Sequence, residues 1–481
     1  MAQTTCIRNA AWIVAWDAAA GTHVYLRDAD LAFTGNTIVH VGKSWPGTAD
    51  TTIDGRALML IPGLVDIHSH PSTEPFFRGI REEHGVPAMF MTGLYERSFA
   101  FRTDAEGRHA GKTVAYCEML RTGITSVADL SGADPGWLDL AAQSGLRVFI
   151  APGYASARWH LENAWQLQYK WDEAAGQRGL HDALALIAQA AQHPSGRLSG
   201  VVFPAQIDTC TEALLRESWE AAEALDLPFT THCAQSVNEF NEMVQRHGKT
   251  PIRWARDIGI LGPRSILGHA IFTDAHSWTR WHTKDDVNIL AEAGASVAHC
   301  PSPFARYGQT LEDFGAYRRA GVNIGLGTDV APHNLIEEMR LAAILARVAA
   351  QDINTTSTAA MFHAATVGGA TALGRDNIGR LVPGARADLV LVDLTNPFML
   401  PARDPLRSLM YTAADRAVHS VFIDGAQVVE AGRVLTLNHA EALGLLAEAQ
   451  ARMEAEVPNY DWAGRRADEI APLSLAMREQ V

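Results

Sequence analysis

Leu60-Ile61-Pro62-Gly63-Leu64-Val65-Asp66-Ile67-His68-Ser69-His70 carries an apolar run straight into two histidines one residue apart. The run has the length and content of a strand buried on both faces. If the strand ends in a bulge or bend, both imidazoles turn the same way and each offers one nitrogen to a single metal ion. On its own an HxH pair is as compatible with surface or capping histidines. The strand in front of it makes the metal reading the stronger one.

Seven further apolar runs follow, at 124–129, 146–151, 200–204, 228–232, 265–269, 296–300 and 322–329. Helical stretches separate them. In 335–351, for example, Leu335, Ile336, Met339, Ile344, Leu345 and Val348 fall on spacings of three and four and predict one apolar stripe. Eight strands alternating with helices predict an α/β chain built on a (β/α)8 barrel. The rival, a doubly wound open sheet, needs a ligand crevice at a switch point, and no glycine-rich phosphate loop marks one. Five of the eight runs end in His or Asp: His68, Asp129, His232, His269 and Asp329. The carboxyl ends of barrel strands face the active site.

Outside the barrel the texture changes. Short alternating stretches separated by turn residues occur at 7–15, 23–26 and 37–41, and again at 387–394 and 418–429. Residues 1–60 and 385–440 are therefore expected to build one small β-sandwich domain from both chain ends, beside a barrel at 61–384. Residues 441–481 are expected to form a helix and a polar tail.

The 481 residues carry 40 Lys and Arg against 54 Asp and Glu, a net charge of −14. That balance argues against nucleic acid and against an anionic membrane surface as partner. At 47% hydrophobic and 20% charged, the chain can bury a large core. Five scattered cysteines with no CxxC pair suggest neither a disulfide framework nor a zinc knuckle. The first 17 residues resemble neither a signal nor a transit peptide, and no run reaches a membrane span. A cytoplasmic location is expected.

His68, His70, His232 and Asp329 on separate strand ends form a plausible set for one divalent ion, zinc first and iron or cobalt as alternatives. His269 is then read as an acid or electrostatic group facing the reacting water, the alternatives being a fifth ligand or a satisfied core histidine. With Asp329 as proton acceptor, these two are the candidate catalytic residues.

The arrangement resembles the amidohydrolase superfamily, in particular its mononuclear-metal aminohydrolase branch of chlorotriazine hydrolases and cytosine-, guanine- and methylthioadenosine-type deaminases. Leu60 to His70 resembles the family's PG(L/F)(I/V)(D/N)xHxH block. Arg78-Gly79, Glu118 to Thr125, Ala298-His299-Cys300-Pro301, Gly327-Thr328-Asp329 and Gly379 to Leu389 match further segments along nearly the whole chain. The resemblance implies hydrolysis with a metal-activated water, a small-molecule substrate and a homo-oligomer.

Two departures bear on substrate. Deaminases of this branch carry HxxE after the fifth strand, whereas this chain has His232-Cys233-Ala234-Gln235. An amide does not shuttle a proton near neutral pH. Where they often have HCPxSN, this chain has His299-Cys300-Pro301-Ser302-Pro303-Phe304. Both move the expectation toward an amide, urea or carbamate C–N bond of an aromatic or heterocyclic compound, with phenylurea and thiocarbamate hydrolases as the functional analogy. Deamination of a pyrimidine, purine, pterin or triazine is the alternative, and an inactive metal-binding scaffold the alternative of another class. The fourth strand offers no lysine to bridge two metals, which favours one ion. Gln235, Gln206, His299, Arg158, Trp159, Phe77 and Phe304 are the candidate substrate contacts. Phe76, Trp165, Trp171, Trp278 and Trp281 are further candidates for the pocket wall, and Arg78 and Arg306 for anchoring an anion or carbonyl.

Overall fold

The structure is a computed structural model that describes residues 2–81 and 85–478. Its centre is a set of short parallel strands, buried throughout except at Ser199 and Asn323, which are half-buried. Leu64–Ser69 pairs with Ile124–Asp129, which pairs with Arg147–Ile150, which pairs with Leu198–Gly200. Phe229–Cys233, Ser265–His269, Ser296–His299 and Asn323–Leu326 form a second parallel set in that order. Isolated parallel bridges join the two sets at both edges, Val202 to Phe229 and Gln206 to His232 at one and Ser69 to Asp329 at the other. The pairing thus returns to the strand on which it began.

Val65, Ile67, Ala128, Phe149, Val201, Ile266 and Ala298 fill the inside of this circuit. Alternate residues such as Leu64, Val127, Val148 and Leu267 pack outward on the helices. That alternation is why the runs are predominantly apolar on both faces rather than on one.

Two of the eight differ from their expected extents in ways that matter. The fourth is interrupted: Leu198–Gly200 pairs with the third strand, and after a gap Phe203–Pro204 pairs with Gly153–Tyr154. The eighth stops at Leu326, so Asp329 lies three residues beyond the strand rather than closing it. Its φ of 60° is left-handed, which turns the chain back against Ser69. The helix Leu335–Ala350 forms as expected, but its buried side is Leu335, Ile336, Met339, Ala342, Ala343 and Ala346, while Ile344 and Val348 are exposed. From Ala342 on the buried side is alanine, which lets that half of the helix lie close to its neighbours with Ile344 and Val348 turned outward.

Both chain ends contribute to one connected sheet of nine strands. The long strand Thr4–Asp17 pairs antiparallel with Thr22–Thr34 on one side, and parallel with Thr51–Asp54 and Leu58–Pro62 on the other. Leu389–Asp393 joins Leu58–Pro62, so the two ends meet inside the sheet. Arg147 ties this sheet to the third parallel strand through Asp388 and Asp424.

The C-terminal helix spans His439–Tyr460. It lays Ala442 and Leu446 on Val114, and Met453 and Val457 against Phe76 and Phe77. The segment after it is more than a polar tail, since a short helix at Ala467–Ile470 buries Ile470. All five cysteines are buried and unpaired. Among the described residues no helix is long and apolar enough to cross a membrane.

Candidate metal centre and substrate cavity

His68 and His70 turn to the same side because the strand breaks register. The pairing of Leu64–Ser69 with its neighbour shifts between Asp66 and Ser69, which is the bulge an HxH pair needs. Behind the bulge, Asp66 accepts hydrogen bonds from His68 N at 3.1 Å, Thr328 N at 3.2 Å and Thr328 Oγ1 at 2.6 Å. One carboxylate therefore locks the segment carrying His68 to the segment carrying Asp329. Main-chain bonds complete the joint: Asp329 N donates to His68 O and His70 N donates to Asp329 O.

Two groups of potential ligand atoms result, each within 4.8 Å of one another: those of His68, His70 and His232, and those of His68, His269 and Asp329. Asp329 Oδ1 lies 3.4 Å from His70 Nε2 and 3.7 Å from His68 Nε2. His70 Nδ1 donates to Leu130 O at 2.8 Å, and His232 Nδ1 donates to Ala205 O. Bonds of this kind hold a ligating ring in place and fix its tautomer.

Burial and the neighbouring imidazoles hold His68 and His269 well below the ordinary imidazole range. Burial, with His70 next, brings His232 down to about 3. Burial raises the Asp329 carboxyl. Neutral rings and a carboxylate are a donor set for a divalent cation. Both nitrogens of His68 and both of His269 are buried without a hydrogen-bond partner. Four orphaned nitrogens in one place are costly unless something coordinates them, so the residues fit the expected metal. His269 sits closer to this cluster than a purely outlying role requires. Its ring is 4.5 Å from that of His68 and 4.6 Å from that of Phe304.

A cavity of about 760 Å³ opens in front of the cluster, lined by His70, His232 and Asp329 among others. Gln206, Gln235, Phe76, Phe77, Arg158, Trp159 and Phe304 all lie on its wall, as expected. Trp159 is held there by its Nε1, which donates to Asp208 at 3.0 Å, and by the ring of Tyr95.

Other expected contacts lie elsewhere. His299 is not on the wall. Its ring packs near Phe314, and burial takes it down to about 4. Arg78 is paired with Glu74 and Glu118, and Arg306 donates to Ala331 O. Trp165 and Trp171 belong to the hairpin of Ala157–His160 and Gln168–Trp171 and are exposed, as is Trp278, while Trp281 packs on Phe240. Besides Arg158, the wall carries Arg81, Arg102 and Arg108, and the guanidinium of Arg81 lies over Phe77 at 4.6 Å.

Glu239 was not anticipated. It is fully buried behind Gln206 and Gln235, and burial with the nearby Asp208 carboxylate pushes it up to about 8. The signal for it was present. Ser236-Val237-Asn238-Glu239 has the spacing of a helix capping box. Ser236 caps Val237–His247 as the pattern predicts, but the Glu239 side chain reaches past it to Ala234 N and Gln235 N.

The sequence signature of the amidohydrolase family matches residues 59–428. A 5-methylthioadenosine/S-adenosylhomocysteine deaminase of Halobacterium salinarum is 30% identical over 407 residues, 84% of this chain and 88% of that one. An adenosine deaminase from Xanthomonas campestris, solved with bound zinc, is 25% identical with a TM-score of 0.78, covering 94% and 98% of the two chains. The atrazine chlorohydrolase of Arthrobacter aurescens, complexed with zinc, superposes with a TM-score of 0.80 at 23% identity, covering 93% and 100%. With that match across most of its length, and a histidine and aspartate cluster fit for a divalent ion, the chain belongs to the amidohydrolase family and is a hydrolase of carbon–nitrogen bonds other than peptide bonds.

Proposed function

We propose that this enzyme cleaves an amide, urea or carbamate-type C–N bond of a small aromatic or heterocyclic compound. The observation that carries the choice is that the position after His232 where the related deaminases place an acid holds Gln235, on the cavity wall. The nearest carboxyl, Glu239, is buried behind it and does not line the cavity.

His68, His70, His232 and Asp329 would hold one divalent ion, zinc by analogy with the relatives. When bound, such an ion supplies Lewis acidity and an ionised water near neutral pH. The chain's own groups do the rest. Asp329, with Oδ1 at the mouth of the cluster, accepts the proton of the attacking water. It then returns it to the leaving nitrogen as the C–N bond breaks. His269 steadies the charge that develops on the substrate oxygen. Phe76, Phe77, Trp159 and Phe304 exclude water and hold a flat apolar body, and Gln206 and Gln235 orient the reacting group. The ring of parallel strands is read as a (β/α)8 barrel at 61–384. The chain-end sheet is read as a composite β-sandwich at 1–60 and 385–440, with 441–481 as a C-terminal appendage. We place the enzyme in the cytoplasm as a homo-oligomer.

Deamination of a heterocycle is the second reading, favoured by the names of the relatives. A screen separates the two: amine release from phenylurea, anilide and carbamate substrates against ammonia release from aminopurines, pyrimidines, pterins and triazines. Turnover confined to the aminoheterocycles would overturn the first reading. His269→Ala tests the role of that residue, since loss of activity with metal retained supports it and loss of metal makes His269 a ligand.

A further inference from the structure

Gln206 and Gln235 are both almost fully buried, yet both line the cavity. Side-chain amides in that position could face the substrate with either the carbonyl or the NH2 group, and the two choices recognise opposite partners. Glu239 removes the choice. Its Oε1 accepts from Ala234 N at 2.5 Å, and its Oε2 accepts from Gln235 N at 3.1 Å. These main-chain bonds fix the carboxyl group in place. Its Oε2 also lies 3.1 Å from the Gln206 side chain.

The consequences follow in order. At pH values above about 8 the Glu239 carboxyl is ionised and only accepts, so the Gln206 atom facing its Oε2 is Nε2. The second hydrogen of that NH2 group points at Gln235, 2.9 Å away, so the Gln235 atom facing it is Oε1. That leaves Gln206 Oε1 and Gln235 Nε2, neither of which has a protein partner among the described residues or is sealed from the cavity. The wall beside His232 therefore presents one acceptor and one donor side by side.

We propose that Glu239 is a positioning residue that fixes the Gln206 and Gln235 amides so that they select substrates whose reacting edge carries an N–H next to an acceptor. A primary carboxamide, a terminal urea and the ring-nitrogen/amino edge of an aminoheterocycle have that edge, while an ester or an N,N-dialkyl amide does not. The inference deepens the hydrolase reading of the same cavity and rests on it for the choice of substrates.

The test is binding of benzamide and of N,N-dimethylbenzamide to the zinc-loaded enzyme by calorimetry at about pH 9, where Glu239 is ionised. An unpaired buried polar group costs enough to give a preference of about tenfold for benzamide in the unaltered enzyme. Glu239→Gln can donate to Gln206 and so lets that amide turn over, and the preference falls to within about twofold at unchanged zinc content. Gln206→Met, which leaves the caps on Ala234 and Gln235 intact, does the same and covers the case in which Glu239→Gln fails to fold. A purely structural role for Glu239 would change stability and leave the preference alone. Equal binding of the two probes by the unaltered enzyme, binding of neither, or a preference retained in both variants overturns the proposal. Ammonia release from benzamide, followed in the same samples, reports on the hydrolase reading separately. A preference lost in the variants without any turnover would keep this inference and defeat that reading.

Discussion

His70 and His232 turn their Nε2 atoms toward each other across 3.3 Å, with the two rings parallel to within 15°. Each ring has its Nδ1 at a main-chain carbonyl, of Leu130 and Ala205 respectively. With the Nδ1 hydrogens given to those carbonyls, each ring has Nε2 left to turn a lone pair toward the other. A cation between them converts that repulsion into two bonds. His70→Ala and His232→Ala should each make the bound ion removable at a chelator concentration at least about tenfold lower, and lower kcat/KM by roughly 100-fold or more. Chelator titration followed by elemental analysis measures the first effect, steady-state kinetics the second.

Gly268 lies under the ring of His68. A Cβ placed there would sit 2.7 Å from His68 Cε1 and 3.0 Å from Nδ1, and His68 is fully buried with no room to retreat. Gly268→Ala should displace the imidazole and cost about 100-fold in kcat/KM, since small misplacements of a catalytic group have effects of that size. Gly444→Ala, in the C-terminal helix with open space around it, is the control and should leave activity unchanged.

Gln235→Glu tests what separates this cavity from those of the deaminases. The new carboxyl would still accept from Gln206, and it would supply a group able to carry a proton to a ring nitrogen. Ammonia release from aminoheterocycles should rise by about 100-fold, the lower end of what general acid–base catalysis contributes. If ammonia release does not rise, the amide at position 235 is not the barrier to deamination.

Glu338 gives a pH dependence of stability whose sign can be stated. It is fully buried and accepts from Ser302 N at 3.0 Å, and burial pushes it from an ordinary value of 4.5 up to about 8. The folded chain thus holds this proton where the unfolded chain has released it. The contribution is fully present below the unfolded value and is lost as pH rises through the folded one. Glu338→Gln can keep the bond to Ser302 N without a charge. Relative to the unaltered protein its melting temperature should rise progressively between about pH 5 and pH 8. A constant difference across that range would contradict the account.

Much of the site was legible because a buried parallel strand leaves a plain signature. The apolar runs ending at His68, His232 and His269 put each histidine within a residue of its strand end. Asp329 was recognisable as a candidate ligand but not as a residue beyond its strand, because a left-handed turn leaves no mark in the apolar pattern. Glu239 carries no signal of a site role in the sequence, because it sits at the capping-box position of its helix, where an acid ordinarily serves the helix start. Arg81 rather than Arg78 reaches the wall because Glu74 and Glu118 hold Arg78 elsewhere, and pairing across the fold has no local signature. The same limit explains Ile344 and Val348, which are exposed on a helix whose C-terminal half buries Ala342, Ala343 and Ala346 instead.

The most direct test of the metal centre is the metal content of the protein purified without added metal, compared with that of His232→Ala. The account predicts about one equivalent of zinc, iron or cobalt per chain, with that metal lost in the variant. Two equivalents would contradict the single-ion site and make His269 a ligand. No metal, with none taken up on reconstitution, would contradict the metal centre altogether.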